Sequence, residues 1–259
     1  MRWRKFIWAS RRLSLPEHTP MLERLRSARV LVIGGSSGIG EATASAAAAA
    51  GARVTIASRS QERLHAALGR LPAGTQASVL DVTDPQAVEA FFVRQDGWDY
   101  IVLAGSSTRS GSVRDLPLED AQAAMQNKFW GAYHIGRHAR LSEGGSLTFV
   151  SGVYSIRPSS KAVLQGAINA AIEAMARGLA LELAPCVRVN TVSPSTTATP
   201  LWDRLSKSER EQKFAEMNAR LPVGHIAQPD DIAQAILSVA TNRFATGSTV
   251  LIDGGDALV

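Results

Sequence analysis

The chain has 259 residues, 45% of them hydrophobic and 20% charged, with a formal net charge of +5; these are the proportions of one soluble α/β domain with a sizeable core. Arg2, Arg4, Lys5, Arg11 and Arg12 against Glu17 put +4 of that charge in residues 1–20 and leave +1 for the remainder, which excludes a nucleic-acid footprint on the folded part. No apolar run approaches the length needed to cross a bilayer, and the single cysteine, Cys186, excludes an internal disulfide framework and fits a reducing, cytoplasmic setting.

Residues 1–26 read as a basic leader ahead of one domain over 27–259. Ser10-Arg11-Arg12 is similar to a twin-arginine export signal, but Pro16-Glu17-His18-Thr19-Pro20 follows where an apolar stretch is needed. A short targeting peptide and a membrane-surface contact through Trp3, Phe6 and Trp8 are alternatives. The simplest reading is a disordered tail or a mis-assigned start, with the working domain beginning near Met21.

Val30–Ile33 is an apolar strand. It runs into Gly34-Gly35-Ser36-Ser37-Gly38-Ile39-Gly40 and then the Ala-rich helical segment 42–50. Strand, glycine turn and helix in that order make a dinucleotide-binding fingerprint. Gly34 allows the tight turn, Gly38 lets the backbone approach a pyrophosphate, and Gly40 lets the helix pack closely. The first-turn amides and the helix dipole then face the phosphates.

Arg53–Ser58, with Val54, Thr55 and Ile56, is the second strand; Ser60–Gly69 is a short helix and Gln76–Leu80 the third strand. Asp84-Pro85 is an N-cap with proline at the first helical position, opening a helix to about Gln95. Tyr100–Ala104 is a strand of the continuous, buried type. Leu116–Arg140 and Ser159–Ala184 are long helices either side of a strand at Leu147–Ser151. Val187–Val192 is the sixth strand, with Cys186 expected beside it as a small buried hydrophobe. Pro200–Arg220 is a polar helical excursion, Pro229–Ala240 a helix and Thr249–Ile252 the last strand. Seven strands with helical crossovers predict an α/β, Rossmann-type, doubly wound parallel sheet with helices on both faces and ligands at its carboxyl edge.

From residue 27 to 259 these segments resemble the short-chain dehydrogenase/reductase family. The glycine turn is similar to the family's Thr-Gly-x-x-x-Gly-x-Gly, with Ile33 in place of threonine. Leu80-Asp81-Val82-Thr83 resembles the segment whose Asp recognises adenine. Leu103-Ala104-Gly105 resembles an Asn-Ala-Gly strand end, with Leu103 for Asn. Arg188–Pro194 and Asp253-Gly254-Gly255 match the C-terminal segments. Thr199 matches the position that hydrogen-bonds the nicotinamide carboxamide. The resemblance implies a nicotinamide dinucleotide held by Gly34, Ser36, Ser37, Gly38, Ile39, Gly40, Ser58, Arg59, Asp81, Val82, Ala104, Gly105, Pro194, Thr197 and Thr199. An acid ending the second strand would accept from a ribose 2′-hydroxyl and repel a 2′-phosphate. Ser58-Arg59 stands there instead, and a hydroxyl beside a guanidinium suits a phosphate; NADP(H) is expected, with NAD(H) the alternative.

The family's proton-transfer residues are missing. Without gaps, its Tyr position falls on Gln165, its Lys position on Asn169 and its Ser position on Gly152; only Asn127 fits its place. Lys161 has Arg157, not a Tyr, four residues before it. Tyr154 lies in the loop after the fifth strand and could still enter the pocket as a proton donor, while Ser151 should face the opposite side. Reducing a ketone creates an alkoxide, and amides cannot deliver a proton at pH 7. The expectation is therefore an NADP(H)-dependent oxidoreductase acting on an iminium or a conjugated acceptor, with Asn127 ordering water or substrate and Gln165 and Asn169 shaping the pocket. A non-catalytic NADPH sensor or scaffold, and a cyclase or isomerase with a structural cofactor, are the alternatives. His134 and His138, at i and i+4, are expected to serve packing or a subunit contact rather than a metal. The resemblance also implies a homodimer or homotetramer through the 116–140 and 159–184 helices, with Ala167, Ala170, Ala171, Ala174 and Gly178 allowing close approach.

Overall fold

Residues 30–33 are each exposed by 3% or less, so this strand has no solvent face, the condition of a central strand in a parallel sheet covered on both sides. A computed structural model describes residues 21–105 and 108–259; Trp3, Phe6, Trp8 and the basic residues of 1–20 lie outside them. The strands are β1 (Arg29–Ile33), β2 (Arg53–Ser58), β3 (Gln76–Val79), β4 (Trp98–Leu103), β5 (Leu141–Val150), β6 (Arg188–Pro194) and β7 (Thr249–Ile252). They form one seven-stranded sheet in the order β3-β2-β1-β4-β5-β6-β7, and every pairing is parallel. The chain turns from one half to the other between β1 and β4, where the carboxyl ends of both strands leave a crevice.

The helices are α1 (Met21–Leu25), α2 (Gly38–Ala49), α3 (Gln61–Leu68), α4 (Pro85–Val93), α5 (Leu118–Ala124), α6 (Gly131–His138), α7 (Val163–Glu182), α8 (Lys207–Arg220) and α9 (Pro229–Thr241). One face of the sheet packs Phe92, Ile101, Phe149, Ile168 and Ile172 under α4, α6 and α7. The other packs Ala44, Ala47, Val54, Ile232 and Ile236 under α2 and α9, with Leu25 of α1 beside them. Each fully buried aliphatic side chain contributes about 2 kcal/mol, so these two layers hold the crevice rigid. Among the described residues no helix is long and apolar enough to cross a membrane.

Several boundaries differ from the sequence reading. The long helix expected at 116–140 is α5, a π-helical segment over Met125–Trp130, and α6. β5 begins at Leu141 rather than Leu147, because its outer end reaches Trp98 before the regular ladder starts at Ser146. α7 starts at Val163, after Pro158 has forced a turn. The excursion after β6 splits into a 3-10 turn, Pro200–Arg204, and α8, whose start is fixed by a capping box between Ser206 and Glu209. Cys186 is exposed, contrary to expectation. It sits in the turn between α7 and β6, where its carbonyl accepts from Gly144 N at 2.7 Å, and the buried run starts only at Val189.

Candidate functional site

The crevice is built first by the glycine turn. The carbonyl of Ile33 accepts from both Ala104 N (2.9 Å) and Gly105 N (3.2 Å), tying the ends of β1 and β4 together. Gly34 has φ +84°, and a Cβ there would lie 2.3 Å from the Cα and N of Gly105. A Cβ on Gly40 would lie 2.1 Å from the Gly34 carbonyl oxygen, so the first turn of α2 tucks against the turn that precedes it. Gly38 (φ +55°) comes within van der Waals reach of Thr199, where its Cβ would be 3.1 Å from Thr199 Cβ and Cγ2. Thr199 is thereby brought over the glycine turn from the far side of the sheet.

Ser37 caps α2 with no side-chain bond to the helix, leaving an exposed hydroxyl beside the unpaired first-turn amides. Arg70, which the sequence did not single out, clamps this region: its Nε and an Nη each donate to Glu41 at 2.7 Å, and the same Nη donates to Ser36 O at 3.3 Å. A cleft runs from Ser37 and Gly38 past Glu41 to Pro200 and Asp230. Ser58 is half-buried, and Arg59 is exposed with no hydrogen-bond or ion-pair partner among the described residues. Asp81 is held by its own turn: one oxygen accepts from Thr83 N (2.9 Å) and Thr83 Oγ1 (2.8 Å), and the second faces no donor among the described residues. Next to it, Val82 O meets His134 Nδ1 at 2.9 Å, so that imidazole has a structural partner. Thr197 is buried and donates to Ser195 O at 3.1 Å, which makes it a brace of the loop after β6. A turn that only glycine can make, an open helix N-terminus, a free guanidinium and an anchored carboxylate are the features a phosphorylated dinucleotide needs.

Beyond β5 the arrangement departs from what the sequence suggests. Gln165, Asn169 and Glu173 recur every four residues along α7 and are all buried. Opposite them stands Lys128, on the π-helical segment, one residue after Asn127. Its Nζ donates to Asn169 Oδ1 at 2.6 Å and to Ser151 O at 2.9 Å. Asn169 Nδ2 in turn donates to Gly152 O at 3.1 Å, and a Cβ at Gly152 would come within 2.8 Å of that nitrogen. Gly152 is therefore glycine because Asn169 fills the space a side chain would take. Glu173 accepts from Ser151 Oγ (2.8 Å) and Ser155 Oγ (2.7 Å), which turns the Ser151 hydroxyl to Glu173. Burial pushes Lys128 down to about 8, against a smaller opposing pull from Glu173.

Gln165 Nε2 donates to Arg109 O, while its Oε1 is buried with no partner among the described residues. An orphaned buried carbonyl is costly, and this one can accept from a ligand donor. Tyr154 sits in a 3-10 turn, half-buried, and its hydroxyl has no partner among the described residues. Lys161 is exposed, and Arg157 is engaged with Asp256 at 3.0 Å. Asn127 has no side-chain hydrogen-bond partner among the described residues, in contrast to Lys128. The signals that could have revealed Lys128 and Glu173 are periodic: Lys128 shares a helical face with buried Ala124 and Ala132, and Glu173 follows Asn169 by four.

The excursion over the crevice is pinned at both ends. Trp202 Nε1 donates to Thr197 O at 3.0 Å and its ring packs edge-on against Phe214, with centroids 5.7 Å apart. Asp256, 1% exposed, gathers Arg220 from α8 (2.8 Å), Arg157 from the loop after β5 and the Ser195 hydroxyl.

A family model described as Enoyl-(Acyl carrier protein) reductase matches residues 34–256. The short-chain dehydrogenase/reductase ucsE of Acremonium sp is 29% identical over 262 residues, spanning 93% of this chain and 99% of that one. A solved small-chain dehydrogenase in complex with NADPH is 32% identical with a TM-score of 0.74, over 90% of this chain and all of its own. The MalC Reductase/Diels-Alderase from Malbranchea aurantiaca is 25% identical with a TM-score of 0.82, over 92% and 99%.

Proposed function

The chain belongs to the short-chain dehydrogenase/reductase family of oxidoreductases, and from that premise we propose an NADP(H)-dependent enzyme whose hydride transfer does not use a tyrosine acid. The observation that carries this reading is the pairing of a glycine cradle with two buried amides on α7. Gly34, Gly38 and Gly40 fit their neighbours only without side chains, while Gln165 and Asn169, on which the family resemblance puts its Tyr and Lys positions, are buried amides. When bound, the dinucleotide supplies a hydride. Ser37 and the first amides of α2 bind its phosphates, and Ser58 and Arg59 receive the 2′-phosphate that an acid would repel. Asp81 takes the adenine, Ala104 and Gly105 line the floor, Pro194 and Thr197 brace the wall and Thr199 receives the carboxamide. Acceptors that need no strong acid, an iminium or a conjugated carbonyl, suit such a pocket. The relative bound to NADPH supports the choice of cofactor.

A second reading, catalysis of a cyclisation with the cofactor held structurally, draws on the similarity to a protein named both reductase and Diels-Alderase. The exposed small residues Ala167, Ala170, Ala174 and Gly178 along α7 support pairing of subunits through that helix and α5–α6.

Fluorescence titration with NADPH and NADH, followed by NADPH oxidation against carbonyl, enone and cyclic-imine panels, tests the proposal. The expected result is tighter NADPH binding, loss of that preference in Arg59→Asp, and oxidation with an enone or imine. Retained preference in Arg59→Asp refutes the cofactor reading. Tight binding without oxidation on any panel makes the protein a sensor. A rate lost in Tyr154→Phe restores a tyrosine acid and overturns the mechanism.

A further inference from the structure

We propose that Lys128 is the cationic group of this site, entering from the helix opposite α7 to meet Asn169, and that it supplies the proton for a neutral conjugated carbonyl acceptor. This rests on the hydride-transfer reading above and narrows its substrate class.

The juxtaposition is specific. A lysine on α5–α6 and an asparagine on α7 touch at 2.6 Å, so the ammonium comes from the helix opposite the one on which the family resemblance would put it. Position 128 reaches inward from a π-helical segment, a local widening of the helix that recurs at functional sites. Two of the three Nζ hydrogens are held, by Asn169 Oδ1 and Ser151 O, and the third has no partner among the described residues. Among the described residues Glu173 of α7 is the charged group that acts on Lys128, and its Oε1 accepts from the hydroxyls of Ser151 and Ser155. A packing role would be filled better by an apolar side chain, because a buried ammonium carries a desolvation penalty.

The chemistry follows from the charge. A bound reduced nicotinamide would supply hydride to the β-carbon of an enone or enal, and the displaced π electrons would then move to the carbonyl oxygen as an enolate. The ammonium stabilises that charge and gives it one proton, and the resulting amine regains a proton from water. An iminium acceptor would bring a second cation against a buried ammonium and is disfavoured. The lowered proton affinity of Lys128, about 8, suits a group that must give and regain a proton near neutral pH.

The test has two arms on the full chain. First, lysine labelled with 13C at Cε is followed by NMR against pH with NADP+ or NADPH bound, Lys128→Arg assigning the signal. A resonance titrating near 8, and lower with NADP+ than with NADPH because the oxidised ring is positive, supports the proposal. Titration at the ordinary lysine value, or no difference between the two cofactor forms, overturns it. Second, NADPH oxidation by cinnamaldehyde and by 2-methyl-1-pyrroline is compared in native protein and Lys128→Met, with NADPH binding checking that the variant folds. A loss on the order of 10²-fold with cinnamaldehyde, together with loss of the decline in rate above pH 8, is expected. An unchanged rate and pH profile, or rapid imine reduction untouched by the variant, overturns it. If neither probe is reduced, the parent reading fails for these acceptors and the NMR arm alone decides the placement of the ammonium. If Lys128→Met does not fold, Lys128→Arg takes its place: cinnamaldehyde reduction that still declines above pH 8 then overturns the proposal, since a guanidinium does not titrate there.

Discussion

Replacing Lys128 by Met should change how stability depends on pH, and the size follows from the environment of one ammonium. Lys128 titrates at about 8 in the folded chain against 10.5 for an unperturbed lysine, with desolvation the main cause. The unfolded chain therefore holds this proton more tightly. Below pH 8 the destabilisation is fully present; as pH rises from 8 towards 10.5 it is relieved, so the native state gains stability. The whole gap is worth about 3 kcal/mol, of which about 2 kcal/mol falls between pH 8 and 9.5. Urea unfolding of native protein and Lys128→Met across pH 7 to 9.5 isolates the contribution, because every other group titrates alike in both. The offset at pH 7 mixes relief of desolvation with loss of donors to Ser151 O and Asn169 Oδ1, so the slope is the diagnostic quantity. Native protein should gain on the variant above pH 8. Two parallel stability curves, or a native protein that loses ground as pH rises, would show that this ammonium is not desolvated.

Gly40→Ala places a Cβ 2.1 Å from a backbone carbonyl that cannot rotate away; it should weaken NADPH binding by at least tenfold and destabilise by about 2 kcal/mol, read by fluorescence titration and urea unfolding. Asp256→Asn removes the charge shared by Arg157 and Arg220 at a 1%-exposed position. It should destabilise by about 3 kcal/mol and raise amide hydrogen exchange in residues 207–220; unchanged exchange there would mean that the pair does not anchor the excursion.

Local chemistry determined the cradle. Glycine at 34, 38 and 40 between a wholly apolar strand and an alanine-rich helix is a statement about backbone geometry, and the structure repeats it: a Cβ added at any of them would lie 2.1 to 3.1 Å from its nearest neighbour. Element order was likewise legible, because strand and helix periodicities differ and short connections leave few topologies. The family resemblance also implied that the usual Ser, Tyr and Lys are missing at Gly152, Gln165 and Asn169. What entered the space they leave could not be read from the sequence. Lys128 is 41 residues from Asn169 in sequence, and nothing in its neighbours Asn127 and Phe129 says that a charged side chain will turn inward. That outcome depends on a π-helical turn, on the separation between α7 and the α5–α6 helix, and on Glu173 and two serines being packed nearby. The exposure of Cys186 and the gathering of Arg157, Arg220 and Ser195 around Asp256 have the same origin. Burial and long-range charge pairing are properties of how elements pack, and sequence fixes them only through the assembled tertiary structure.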